Sequence, residues 1–262
     1  MVSSFRWGGL TLLFSVWFWI FQPALSIGNV GQLAVDLLIS SLKAEKLGYL
    51  DDPNVLPSYE SSSRALSLVQ QRSPVSKGMM IEYAKNMANF AVANGKKHIV
   101  VLSTLDFGRW KNINMTSGLQ IYYLSSSSLD GTDAACENLG WNRLQDYNPH
   151  QRTWKYLETL ATNGSTTDED FPFEELGDED YYPSLPFAAL FSCFKAKGLK
   201  VTCLLCYSSE GDNIPEAFSM AEAACVLTGL SNKEFEGNGA DKWIMPFSWQ
   251  SVYGPPADVT LF

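Results

Sequence analysis

Histidine is the scarcest reactive side chain here: two, His98 and His150, in 262 residues. A general base needs a partner to orient it, and no serine or cysteine nucleophile constellation surrounds either one. His98 is the first suspect for acid–base work, yet its place after two lysines also suits the plain entry of a buried strand. Base is in short supply as well, with 19 Lys and Arg against 28 Asp and Glu and a net charge of −9. That balance argues against non-specific nucleic-acid binding, which needs basic clusters. Nucleotide motifs are missing too. Gly28 and Gly31 make a pair, but a dinucleotide fingerprint needs three glycines at fixed spacing and a P-loop needs Gly-Lys-Ser/Thr. The pair reads as a tight turn with close strand–helix packing, and no cofactor or metal is expected. The five cysteines are an odd number in apolar settings, which excludes a disulfide framework. Cys203 and Cys206 fall inside a predicted strand, where residues three apart point to opposite faces, so they read as buried packing residues and not as a redox or metal pair. No long low-complexity linker divides the chain, and its 46% hydrophobic content supports one sizeable core.

What is present is a strand–loop–helix grammar. Lys200 to Tyr207 is an apolar run of strand length. Ser208 to Ala217 then supplies a turn and a helix start, with Asp212 or Asn213 as cap, Pro215 where a missing N–H does no harm and Glu216 at the positive helix end. The same grammar opens the chain: Pro23–Ile27 as a buried strand, Gly28-Asn-Val-Gly31 as its turn, and a helix from Gln32 to Leu42. Between them, Arg64–Arg72 reads as a strand and Lys77–Asn94 as a helix capped by Ser76. His98–Thr104 and Leu119–Ser125 read as strands, Pro149–Asn163 and Pro186–Lys197 as helices, and Asp51–Ser63 as turns. Alternating helices and strands argue for a layered α/β fold with a largely parallel sheet.

Three stretches stand apart. Residues 1–22 are a hydrophobic stretch with the charge, apolar length and Ala24-Leu-Ser26 flank of a signal peptide or anchor; the competing reading makes Ser15–Phe21 a buried aromatic first strand. Asp168 to Asp180 holds eight carboxylates and no base, which reads as a solvated loop or a surface for a basic partner. Residues 231–262 form a linker and a proline-punctuated tail, in which Trp243 and Trp249 pin the segment to the α/β domain of residues 23–230. The last residues, Val259, Thr260, Leu261 and Phe262, offer a free carboxylate and an aromatic end to a partner's pocket.

Ser26-Ile-Gly-Asn-Val-Gly-Gln-Leu-Ala-Val-Asp-Leu-Leu-Ile-Ser40, Ser209-Glu-Gly-Asp-Asn-Ile-Pro-Glu-Ala217 and Trp243-x-x-Pro-x-Ser-Trp249 with Gly254-Pro-Pro256 and the Leu261-Phe262 ending resemble the proteasome assembly chaperone 2 family. The likeness runs from Pro23 to the C-terminus. It marks Gly28, Asn29, Gly31, Gln32, Glu210, Gly211, Asp212, Asn213 and Pro215 as family-motif loops. It implies a three-layer α/β/α sandwich similar to the nucleoside phosphorylase/hydrolase fold, with an irregular C-terminal tail and no enzyme activity. It implies a heterodimer with assembly chaperone 1 that holds 20S proteasome α-subunits while the ring forms and prevents off-pathway ring pairing. In relatives, tails insert between α-subunits, often through a hydrophobic–tyrosine–any-residue ending; Thr260-Leu261-Phe262 lacks that tyrosine. The sequence departs from the family in residues 1–22 and in a shortened segment at Ser58. The resemblance implies the cytoplasm, with the nucleus as a further site, and no nucleic acid or membrane. The alternatives are a nucleoside hydrolase or phosphorylase, and a secreted or membrane-anchored α/β protein.

Overall fold

Apolar alternation along the strands builds one mixed sheet and dictates what covers it. The computed structural model describes residues 19–50, 52–53, 58–62 (backbone), 66–110, 119–162, 180–230, 235, 243–247 and 249. The strands are β1 (Trp19–Pro23), β2 (Glu45–Leu50), β3 (Ser58–Ser62), β4 (Ser67–Gln70), β5 (His98–Asp106), β6 (Tyr122–Ser125), β7 (Asn142–Arg143) and β8 (Lys200–Ser208). They form one eight-stranded sheet in the order β2-β3-β4-β1-β5-β8-β6-β7. β4, β1, β5 and β8 run parallel at its centre, while β3 and β6 are antiparallel to their inner neighbours. The helices are α1 (Val30–Ser41), α2 (Met80–Ala93), α3 (Ala134–Asn138), α4 (Arg152–Thr162), α5 (Tyr181–Ser184), α6 (Pro186–Ala196) and α7 (Ile214–Thr228).

Period-two side chains divide the interior into two cores. Ile99, Val101 and Leu105 of β5 with Val201, Cys203 and Leu205 of β8 meet α2, α4 and α6. Val100, Leu102, Leu204 and Cys206 point the other way, into α1 and α7. The three-layer α/β/α architecture implied by the family resemblance is therefore the observed one. Cys203 and Cys206 sit on opposite faces, and all five thiols are free and buried.

The structure corrects several boundaries. The first strand is Trp19–Pro23 and not Pro23–Ile27. Trp19 to Gln22, grouped above with the hydrophobic stretch, lie at the centre of the sheet between β4 and β5. Gln22 explains how a polar residue fits there: its amide donates to Pro23 O (3.0 Å) and to the buried Tyr83 hydroxyl of α2 (3.1 Å). Helix α2 begins at Met80, and Ser76 does not cap it; its carbonyl instead accepts from Met79 N–H at 3.0 Å, closing a turn. The region read as turns after Asp51 contains β3, which pairs with β2 and β4. Residues 1–18, most of the acidic run, most of the linker and Val259 to Phe262 lie outside the described residues. Among those described, no helix is long and apolar enough to cross a membrane.

Candidate functional site

The two motif loops, nearly two hundred residues apart in sequence, meet at the carboxyl ends of the parallel strands. Strand β8 ends at Ser208, whose hydroxyl donates to Asn213 Oδ1 at 2.7 Å. Asn213 Nδ2 donates back to Gly211 O at 3.0 Å, and Asp212 Oδ1 accepts from Ile214 N–H at 3.1 Å, so Asp212 and not the N-cap residue Asn213 satisfies the first N–H of α7. Pro215 falls in the first turn of α7, where no N–H is missed. From the other side comes Gly28, at φ +67°; a Cβ there would lie 2.2 Å from Asn213 Nδ2. Glycine is required twice over at that point, by backbone conformation and by space. Asn29 follows at φ 53°, and a Cβ on Gly31 would lie 2.4 Å from Leu102 O of β5. Thr104 Oγ1 ties the same loop down through Ile27 O at 2.7 Å. The glycines thus serve the contact of loop with loop and of helix with strand, not a cradle for phosphate. Asn213 and Gln32 are buried; Asn29, Glu210, Gly211, Asp212 and Pro215 stay at the surface.

At the same end of the sheet lies a surface that the sequence reading did not find. Phe107 and Trp110 follow β5, Tyr122 opens β6, Tyr207 is near the end of β8, and Tyr181 opens α5. Trp110 stacks with Tyr207 at 6.2 Å, Tyr122 meets Tyr207 edge-on at 5.2 Å, and Phe107 lies 5.3 Å from Trp110. The Arg109 guanidinium sits 4.2 Å over the Tyr181 ring. Polar tips lock the group: Trp110 Nε1 donates to Tyr122 Oη (3.1 Å), and Tyr181 Oη accepts from Asp106 N–H (3.0 Å). Phe107 is 51% exposed. Half-buried aromatics beside an arginine, held rigid, have the composition of a protein-binding patch. The available signal was the aromatic at each strand end, but only the sheet order joins them.

His98 lies at the opposite, amino end of β5, stacked on Trp19 at 4.6 Å. Burial, with Lys200 and Lys97 adding to it, holds its pKa below the usual imidazole value. Among the described residues, no nucleophile or motif loop is brought to it. Burial pushes the Cys136, Cys193 and Cys206 thiols up to about 12, far from the thiolate range. Among the described residues no three His, Cys, Asp or Glu side chains are grouped as metal ligands. Trp243 and Trp249 both pack on Phe218 of α7, with ring centroids at 6.0 and 6.4 Å.

Comparison with known proteins adds to this geometry. The chain is 25% identical over 272 residues to Proteasome assembly chaperone 2 of Danio rerio, covering 94% of this chain and 95% of that one. It is 26% identical over 271 residues to Proteasome assembly chaperone 2 of Homo sapiens, covering 92% and 94%. Its fold is similar to the crystal structure of Pyrococcus furiosus PbaA, described as an archaeal homolog of proteasome-assembly chaperone, with a TM-score of 0.55 and 17% identity over 81% of each chain. The sequence pattern of the PAC2 family matches residues 20–235, from the second residue of β1 to Phe235. With all of the sheet but Trp19 and both motif loops inside that match, the chain belongs to the PAC2 family.

Proposed function

We propose that this chain is a proteasome assembly chaperone that works by surface contact and not by chemistry. The observation that carries this reading is the match, over nine-tenths of the chain and of the relatives, to proteins named Proteasome assembly chaperone 2. The aromatic patch at the strand ends and the tail are its contact surfaces. The partners are 20S proteasome α-subunits, with assembly chaperone 1 as the other half of a heterodimer, and Val259 to Phe262 reach the α-ring. Support against an enzyme reading comes from His98, which sits at the wrong end of the sheet for the motif loops, and from thiols whose pKa values keep them protonated. The site of action is the cytoplasm, with the nucleus as a further location. A cut after Ala24-Leu-Ser26 would remove β1, which lies between β4 and β5, so processing there is incompatible with this sheet.

The test is isolation of the tagged full chain from cells, with identification of what travels with it. Proteasome α-subunits and a second, related chaperone are the expected companions. No enrichment of any proteasome subunit over a control bait overturns the proposal. Deleting Val259 to Phe262 is expected to weaken capture; unchanged capture removes the tail's role and leaves the chaperone role standing.

A further inference from the structure

Part of the α1–α7 face is covered by a segment that arrives from the far end of the chain. Ile244 N–H donates to Ser41 Oγ, at the last residue of α1, at 2.9 Å. Trp249 N–H donates to Pro246 O at 3.0 Å, and that turn carries the indole inward until only 3% of Trp249 is exposed. Phe218 of α7 is held between Trp243 and Trp249, and Phe235 backs Trp243 at 5.2 Å.

The second hold is polar. Asp36 is buried on α1, and its Oδ1 accepts from Arg72 at 2.9 Å and from Gln70. Asp36 Oδ2 and Trp249 Nε1 are both buried without a hydrogen-bond partner of ordinary geometry. The Trp249 indole, after the stronger pull of Arg72, favours the charged form of that carboxylate. A buried acceptor and a buried donor that both lack a partner, on segments packed against the same face, are the groups that such a contact would satisfy. Between the two holds, Met245 and Phe247 turn outward, 44% and 85% exposed.

We propose that Asp36 and Ser41 are positioning residues, which root the C-terminal segment on the α1–α7 face at Trp249 and Ile244, hold Phe247 outward and fix where the last residues start. The consequence for binding rests on the tail contact proposed above. Thirteen residues follow Trp249, a reach of at most about 45 Å. If the segment undocks as a unit, taking the packing of Trp243 and Phe235 with it, the free segment would start at the end of α7, Thr228, and run 34 residues. Effective concentration falls roughly as the −3/2 power of length, so the loss is about fourfold.

The test is amide hydrogen exchange on the full chain and on Ser41→Ala, Trp249→Phe and Trp249→Ala. The Ile244 amide is expected to be protected in the native chain and to exchange roughly tenfold faster or more in Ser41→Ala and Trp249→Ala. Trp249→Phe, which keeps a ring and loses the N–H, falls between, and amides of β5 do not change. The second readout is affinity for α-subunits, weakened about fourfold by Trp249→Ala in the full chain and not at all once Val259 to Phe262 are deleted. A merely structural role would weaken both equally, and that result overturns the proposal. So does an Ile244 amide that exchanges freely in the native chain or ignores these substitutions. If the native chain captures no α-subunit, the chaperone reading fails while the exchange result still decides the anchor.

Discussion

The two faces of the sheet are sealed in different ways. One is covered by α2, α4 and α6, with Tyr147, Trp154 and Phe191 meeting edge-on at 4.9 to 6.2 Å. Its polar groups are held by the helices themselves: Tyr83 Oη donates to Gln71 at 3.0 Å and accepts from Gln22, and the buried Asp52 accepts from Asn86 of α2 at 2.9 Å. The other face has α1 and α7, and its remaining cover is a docked segment beside a buried carboxylate. A face closed by helices is part of the fold's cooperative unit. A face closed by a strap held at two points can open without the rest unfolding, and regions that move for function are drawn from that weaker end.

Removing an aromatic from each face separates these cases. Phe191→Ala deletes a ring from the helix-covered core and is expected to cost about 3–5 kcal/mol of global stability. Urea denaturation with an unchanged slope would measure it. A loss well under that range would mean that α6 can collapse onto the gap and that the contrast between the faces is false.

Gly28→Ala comes next. It forces a left-handed backbone on a residue with a Cβ and drives that Cβ into Asn213, an expected cost of about 2–4 kcal/mol. Combined with Asn213→Ala, the steric part of the cost should vanish while the backbone part stays, so the double variant loses less than the sum of the singles. Additive losses would show that Gly28 is needed for its backbone alone.

This junction also shows what could be read beforehand. Each half was legible because its signals are local: Pro215 and Asp212 for α7, and the glycine turn before α1. That Gly28 exists for Asn213 was not legible, since nothing in either stretch names its partner. The misplaced first strand has another cause. Trp19 to Phe21 are as apolar as a targeting segment, and burial on both faces of a central strand erases the alternation that would have marked them. The β2–β3 hairpin was missed for the opposite reason: it lies toward the sheet edge, and Glu45, Lys46 and the serines of β3 carry an edge strand's polarity.

Trp249→Ala sharpens the same contrast at a smaller scale. A ring this buried would cost as much as Phe191 if the strap belonged to the cooperative unit. If the strap undocks alone, the expected global loss is about 1–2 kcal/mol, with increased proteolysis confined to the region after α7. A loss equal to that of Phe191→Ala would place the segment inside the core.

The smallest effect is electrostatic and concerns the strap-covered face. Burial pushes the Asp36 pKa up to about 6, against the opposing pull of Arg72 and of the Trp249 indole. A carboxyl whose pKa is higher folded than unfolded binds its proton more readily in the native state. Its ionisation therefore costs stability above about pH 6, and that cost is relieved as the pH falls. His98 works the other way: its lowered pKa makes the unfolded chain take up the proton first, so its contribution falls as the pH drops through the imidazole range. On the helix-covered face, burial lifts Tyr147 and Cys193 to about 12, so neither titrates in this range. Only the difference between native chain and Asp36→Asn isolates the carboxyl, since both carry His98. Between pH 7 and pH 5 the native chain is expected to gain about 1 kcal/mol relative to Asp36→Asn by urea denaturation. A constant difference across that range would mean that Asp36 stays ionised throughout, with water or a better-aligned Trp249 supplying what burial takes away.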